Sequence, residues 1–544
     1  MRWTKYVFFL FWAFTLLLYI PSIGAGFVHD FLGWQRAYDE GSFSDIINCF
    51  GYPGNHQFLH LIFYSFYKIF HLQGLPWYLL FCTLHAINGY VFYVFIKKLS
   101  VFWGGNISPF VAFLGVLVFL TSPYCVEAVV WKTCVHYLLS FMEIMLIFLA
   151  YIRYVEKGER KILIGGCFVF FLSLFTLELS LITPLAISFC GLVTFLISGE
   201  KKKVLKHSVL FIGILWVLMF LYLVLNKITL GSIVGHYGAK VHLHFDLISI
   251  VSNEMKYLVK HIFYARFFSF NIKNILFDQL LSFPEVAFFG LSILLAVFIL
   301  HFIKVKRLSS EWHIAFLGLF VSILYVLPVS NIYFYHLQFG TNDRLSYIPI
   351  AFIILAILAA SSNFPLIISY IVLAAMILFN LFFQQKTLKY WHDSTVVLTS
   401  LKEHFKWNDA SIVFILNSPD NMQGITMASA EDDPSGVKKL LDYQTLQPFQ
   451  GKMFDIFQYN MTSPEDGVKV EQVGPMQLKV TFDQWGNWWH RNGIGAESYE
   501  NDYYKAELMD NSYLLTFKQF PEGSVILYQD GSEWKEFMLN KTVQ

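Results

Sequence analysis

Apolar runs about as long as a bilayer is thick, separated by short polar breaks, fill residues 1–384. A helix needs about 20 mostly apolar residues to cross the hydrocarbon core. Eleven runs meet that need, beginning near Tyr6, Trp77, Ser108, Cys134, Ile162, Leu179, His207, Val286, Trp312, Leu345 and Phe364. One further run, HQFLHLIFYSFYKIF (56–70), is apolar but short. The first run follows a basic start, is long for a signal peptide and precedes no A-x-A-like site, so it reads as a retained helix. From about residue 385 the pattern changes. ASIVFILN (410–417) and GSVILYQ (523–529) read as strands and GVKKLLDY (436–443) as a helix, with turn residues between them. No fixed-period repeat is present. The pattern therefore predicts an α-helical polytopic membrane domain over 1–384 and a soluble α/β domain over 385–544.

Charge settles the short run. Cytoplasmic loops are enriched in Lys and Arg. With the N-terminus inside and 56–70 not spanning, Lys97-Lys98, IRYVEKGERK, EKKKVLK and IKVKR all fall on the cytoplasmic side; if 56–70 spanned, all would face out. Segment 56–70 is thus predicted to lie in the interface. The first external loop, about 24–76, then carries interfacial helices. A second runs from about 227 to 284, and the C-terminal domain is external.

Composition agrees. Only 14% of residues are charged and 56% are hydrophobic, against roughly a quarter charged in soluble chains, which excludes a soluble architecture. A net charge of +1 points to no nucleic-acid partner. All six cysteines precede residue 191, so disulfides do not hold the C-terminal domain; Cys125 and Cys134 either bridge one loop or remain thiols.

Ionisable residues beside spans are costly and usually functional. Those assigned to the outer side are His29 and Asp30 after the first span, His56 and His60 on the surface helix, Glu127 and Lys132 in SPYCVEAVVWKTCVHY, Glu178, and Asp343-Arg344. Each has a plainer reading. On that reading Asp30 ends a helix in solvent, Glu127 pairs with Lys132 or Arg344, Arg344 anchors at the interface, the surface histidines only pack, and His85 is a satisfied core histidine. The tryptophan-rich DQWGNWWHRNG (483–493) suits either sugar stacking or a core. No tight metal-ligand spacing, P-loop, dinucleotide fingerprint or G-x-S-x-G occurs.

Several stretches together resemble the GT-C-fold integral membrane glycosyltransferases, in particular the protein O-mannosyltransferase-like group. GFVHDF (26–31) resembles the acidic first-loop segment, and 55–99 resembles the surface helix, turn and second span. SPYCVEAVVW (122–131) is similar to H-P-x-x-V-E-A-V-x-W, with Glu127 at the acidic position. LFTLELSLITPL (174–185) resembles S-K-E-x-x-x-x-x-P through Glu178 and Pro184. NDRLSYIPI (342–350) resembles E-R-Y-x-Y-x-P through Arg344, Tyr347 and Pro349. The departures are Phe31 at the second acidic position, Val135 and Leu177 where the family has Arg and Lys, and His56-Gln57 for Arg-Pro.

The resemblance implies transfer of a sugar from a polyprenyl-phosphate donor to an acceptor hydroxyl, protein Ser/Thr, on the external face with inversion. Asp30 would be the catalytic base, its pKa raised by partial burial at the membrane edge. Arg344, Lys132 and His56 would bind the donor phosphate. Glu127, Glu178, His29, Asp343 and Tyr347 would orient these groups or the substrate. No cofactor or metal is required, because cationic side chains can neutralise the phosphate. The partners are the lipid-linked donor, a protein or glycan acceptor and membrane lipids. The alternatives are a same-fold transferase acting on a lipid or polysaccharide, and a non-enzymatic lipid-linked-sugar transporter or scaffold. A transporter is expected to show internal repeats and interrupted spans, and the sequence shows neither. Sequons at Asn460 and Asn540 fit a eukaryotic lumen; the compact form without repeats favours a bacterial inner membrane, with the tail in the periplasm.

Overall fold

A computed structural model of the chain describes residues 2–52, 54–233, 246–330, 342–404, 410–428, 436–445, 449–482, 488–490, 497–531 and 533–540. The chain forms two compact units, one of residues 1–23, 41–337 and 342–386, the other chiefly of 24–40 and 387–544. In the C-terminal half the units part between 386 and 387, and 24–40 groups with the C-terminal residues. Hydropathy assigned it to the membrane domain only because it lies between apolar runs.

The helices of the first unit are α1 (Arg2–Leu18), with α2 (Asp30–Glu40) belonging to the second unit, then α3 (Gln57–Phe70), α4 (Gly74–Phe102), α5 (Pro109–Leu120), α6 (Val126–Val130), α7 (Val135–Lys157) and α8 (Arg160–Ser173). There follow α9 (Thr183–Ile197), α10 (Lys201–Leu230), α11 (Leu247–Phe263), α12 (Phe270–Lys273), α13 (Pro284–Lys304), α14 (Ser310–Val326), α15 (Tyr347–Ser361) and α16 (Leu366–His404), whose residues from 387 on belong to the second unit. Among the described residues eight helical segments are long and apolar enough to cross a membrane, or nine if a bent pair counts as one span. This is a multi-pass membrane protein. The expected eleven reduce because α1 offers a shorter apolar helix, Tyr6–Leu18, and the run from Ile162 folds into a helix of only 14 residues. Segment 56–70 forms the separate 14-residue helix α3, outside the eight.

The spans differ in how they are covered. The best apolar windows of α7 and α15 are 78% buried, that of α13 only 11%. The first two therefore form the centre of the bundle and α13 turns most of its surface outward. Helices α14 and α15 approach closely at Gly318, where a Cβ would stand 2.6 Å from the Phe352 carbonyl oxygen; small residues permit such backbone contact. Local signals set the ends. Ser108 caps α5 by accepting from the Phe110 amide at 3.2 Å with Pro109 at the first helical position, and Gly158 ends α7 in the left-handed region at φ 69°.

One span is interrupted, against the expectation of continuous spans. Residues Pro109–Leu120 and Pro123–Val130 meet at 53°. Pro123 lacks an N–H and obstructs the carbonyl four residues back, so carbonyls near the break need other donors. Asn380 supplies one to Val118 at 2.9 Å and Gln384 one to Leu120 at 3.1 Å, both from α16. His85 sits in the same layer, 2.8 Å from the Tyr347 hydroxyl, which also accepts from Asn88 at 3.0 Å. It is the satisfied core histidine that the sequence predicts.

The second unit is α/β as expected. Ile412–Ile415 pairs in parallel with Ser524–Asp530 on one side and Lys452–Asp455 on the other, and the predicted helix is α17 (Gly436–Gln444). A five-stranded antiparallel sheet orders 468–474, 477–482, 512–517, 504–508 and 498–500. Leu478, Val480 and Phe482 point to its buried side, the period of two that a half-buried strand requires. Helix α2 packs on α17: Gln35 donates to the Tyr443 carbonyl at 2.7 Å, and Gln444 to that of Phe27 at 2.6 Å. The tryptophan-rich stretch 483–493 lies outside the described residues apart from the backbone of Trp488–His490. Asn460 is 7% exposed and accepts a hydrogen bond from Asn421, so this sequon is not presented to a glycosylating enzyme in the folded domain; NKT at 540–542 extends beyond the described residues.

Candidate functional site

The first unit brings several buried charges together where α6, α11 and the turn before α15 meet. The break before α6 aims Glu127 at the turn that opens α15. There the Arg344 amide donates to Glu127 Oε2 at 2.6 Å and the Arg344 guanidinium to Oε1 at 2.7 Å. Trp131 lies 4.9 Å from the guanidinium carbon, measured to its ring, a cation–π distance. Of the two partners left open for Glu127, the carboxylate takes Arg344. The Glu127 side chain is 5% exposed and that of Arg344 27%, so the arginine keeps a reachable edge while its partner is sealed.

A second pair stands beside the first. Lys260 of α11 meets Asp343 at 2.6 Å, with side chains 3% and 2% exposed. The ammonium lies over the rings of Tyr124 and Tyr257, at 5.2 and 5.6 Å, and the Tyr124 hydroxyl donates to the Lys260 carbonyl at 2.7 Å. Burial lowers the Lys260 pKa, and Asp343 works against that shift. Arg266 and Lys273 are also buried, at 1% and 3% exposure, and both interact electrostatically with the pair. Burial, then Arg266, lowers Lys273 to about 8.

His56 and Glu178 form a third contact at 3.3 Å. Burial alone would lower the His56 pKa, but Glu178 overcomes it and the net shift is upward. His136 at the start of α7 is in electrostatic reach of His56, Glu178 and Arg344, which ties this contact to the arginine. His60 is 2% exposed and burial, with His56 next, lowers its pKa to about 3. The sign follows from proton binding. A buried neutral histidine binds fewer protons than its unfolded form at pH between about 3 and about 6.5, so its contribution is complete above about 6.5 and is lost as pH falls. Thermal stability is expected to drop on acidification through that window more steeply in wild type than in His60→Gln, by at most about 1.4 kcal/mol per pH unit. Equal slopes in the two proteins would remove His60 from the account.

Other expected site residues fall elsewhere. Lys132 is 1% exposed, with its ammonium 4.9 Å over the Phe81 ring of α4, instead of at a reachable surface. Tyr347 is fully buried, and its hydroxyl serves His85 and Asn88 in the helix layer, so it braces the bundle instead of touching substrate. Asp30 opens α2 in the second unit and pairs with His29 at 2.7 Å. Its side chain is 52% exposed. Cys125 and Cys134 are buried thiols and do not bridge. Among the described residues no group of three or more His, Cys, Asp or Glu side chains is placed to hold a metal ion.

Sequence reading passed over Lys260, Arg266 and Lys273. Their signal was present: EMKYLVKHIFYARFFSFNIK (254–273) sets four cationic residues, not counting His261, against the rule that external loops are poor in Lys and Arg. The count is Lys256, Lys260, Arg266 and Lys273, with His261 as the fifth basic side chain when protonated.

Chemically, the loop end offers several buried cations, two carboxylates that hold two of them in place, and an arginine with one open edge. An arginine edge and ammonium groups suit an anion, and phosphate best of all. Compared with protein-family models, curated proteins and solved structures, the chain matches none.

Proposed function

We propose that the protein is a membrane glycosyltransferase of GT-C type, taking a sugar from a polyprenyl-phosphate donor to an acceptor hydroxyl, with protein Ser or Thr as the acceptor class. The observation that carries this reading is the Glu127–Arg344 pair, set among the buried cations Lys260, Arg266 and Lys273 at one end of a bundle with outward-facing apolar helices. A lipid-linked donor reaches such a bundle sideways from the bilayer, and its phosphate needs cations where it gains charge. In the reaction the acceptor oxygen bonds to the anomeric carbon as the bond from that carbon to the phosphate oxygen breaks. The electron pair leaves with the lipid phosphate, whose charge Arg344 offsets. The acceptor's proton goes to a carboxylate, and the resemblance assigns this to Asp30.

The test is transfer from labelled polyprenyl-phosphate sugars by purified protein. Asp30→Asn is expected to lower the rate by about a hundredfold or more with unchanged thermal stability, since the side chain is half exposed. A mutant as fast as wild type removes Asp30 as the base.

The interrupted span favours a second reading, a carrier of lipid-linked sugars, because transporters build sites at broken helices. The same protein in vesicles separates the two: a carrier moves the labelled donor across the bilayer intact, whereas a transferase consumes it.

A further inference from the structure

Helix α10 carries a groove that sugar transfer does not use. The best apolar window of α10 is only 22% buried, so the helix turns most of its surface outward. A cavity of about 740 Å³ opens on it, with Lys202, Leu205, Lys206, Val209, Gly213 and Val217 among the lining residues. Steps of three and four residues put Lys202, Lys206, Val209, Gly213 and Val217 on one stripe of the helix. The two lysines stand at one end of the stripe and apolar residues make up the rest. Gly213 keeps the middle of the groove wide, since a Cβ there would meet nothing within 4 Å. A glycine inside a helix lowers its stability, so what it contributes at this position is space.

The helix itself does not call for these lysines. The first turn of α10 holds Lys201, Lys202 and Lys203 and no acidic residue, although the positive end of the helix dipole favours acids there. Two lysines of the stretch are engaged within the protein. Lys203 pairs with Glu200 at 3.2 Å, and Lys201 lies 5.4 Å over the Phe195 ring. Lys202 and Lys206 line the groove and, among the described residues, pair with no carboxylate. Positive charge therefore collects at one end of an apolar groove. The dimensions fit a lipid. Lys206 and Val217 are eleven residues apart, about 16 Å along the axis, and the hydrocarbon of one leaflet is about 15 Å deep.

We propose that this groove binds an anionic phospholipid, with the phosphate held by Lys202 and Lys206 and one acyl chain laid along the stripe past Gly213 to Val217. An apolar outward face is ordinary for a spanning helix. A concave apolar stripe that ends on two cations selects a lipid by its charge as well as by its chain. The cations belong to EKKKVLK, which the charge pattern assigns to the cytoplasmic side, where anionic headgroups attract basic residues. The match to one leaflet favours an acyl chain over the longer chain of a polyprenyl carrier. Neither the sugar donor nor Arg344 enters this inference, so it stands apart from the transferase reading.

The test uses the full-length protein, delipidated in neutral detergent and titrated with phosphatidylglycerol or phosphatidylcholine, with bound lipid counted by native mass spectrometry. Wild type is expected to bind phosphatidylglycerol at least about tenfold more tightly. Lys202→Gln combined with Lys206→Gln should bring the two lipids within about twofold of each other. Both lysines are exposed, so this variant keeps its packing. Gly213→Leu suits a helix better than glycine does and fills the groove. It should weaken both lipids by about tenfold, the equivalent of about two displaced methylenes, with a thermal midpoint no lower than that of wild type. Equal binding of the two lipids by wild type overturns the proposal, and so does a preference that survives the double lysine variant. Gly213→Leu binding phosphatidylglycerol as wild type does would move the lipid elsewhere and overturn it too. If farnesyl phosphate displaces phosphatidylglycerol at equal concentration, the occupant is an isoprenoid phosphate and the phospholipid assignment falls.

Discussion

Arg344→Ala is expected to abolish measurable sugar transfer and to weaken the fold at the same time. Loss of one preorganised group facing a developing charge lowers a rate by about a hundred- to a thousandfold. The structural effect arises on the other side of the pair. Glu127 is 5% exposed, and a buried carboxylate stripped of its partner destabilises by about 3–5 kcal/mol. The lower end, about 3 kcal/mol, is expected, because the Arg344 amide still donates to Glu127 and the arginine is partly exposed. Arg344→Lys separates the effects. An ammonium can keep the contact with Glu127, so the thermal midpoint should lie near that of wild type. It lacks the planar fork that faces both a carboxylate and a phosphate, so transfer should still fall at least about tenfold. A fully active lysine variant would show that charge alone suffices there; an inactive but stable one supports the arginine's direct role.

Lys260→Met is expected to be the most destabilising single change at the loop end. Its partner Asp343 is 2% exposed and loses its ion pair at 2.6 Å, which places the effect at about 3–5 kcal/mol. Removing both charges should restore much of it. Replacement of a whole buried pair by apolar groups is often close to neutral, so Lys260→Met with Asp343→Leu should melt above Lys260→Met alone. The order of thermal midpoints in detergent is the measurement, since a chain of two units need not unfold in one step. If the double variant melts below both single ones, the pair's energy lies in hydrogen bonds and ring contacts that the model of two opposed charges omits.

Which parts of this were legible in the sequence follows from the range over which each property acts. Apolar length is local: about 20 residues either satisfy a bilayer or do not, so the helical runs, the short helix at 57–70 and the change of pattern near 385 could be read directly. The strands at 412–415 and 524–530 and the helix at 436–444 were also legible, because alternation and turn residues are short-range signals. Tertiary structure alone decided the pairings. Glu127 and Arg344 are 217 residues apart and Lys260 and Asp343 are 83 apart; hydropathy carries no information on which loops meet. It also moved residues 24–40, with Asp30, into the unit of the C-terminal domain, through hydrogen bonds of Gln35 and Gln444 that span more than four hundred residues. The bend at Pro123 lay between. Proline marked a weak point, but a break inside a buried span persists only where other helices supply the missing donors, and Asn380 and Gln384 could be recognised as those donors only once α16 was packed against α5.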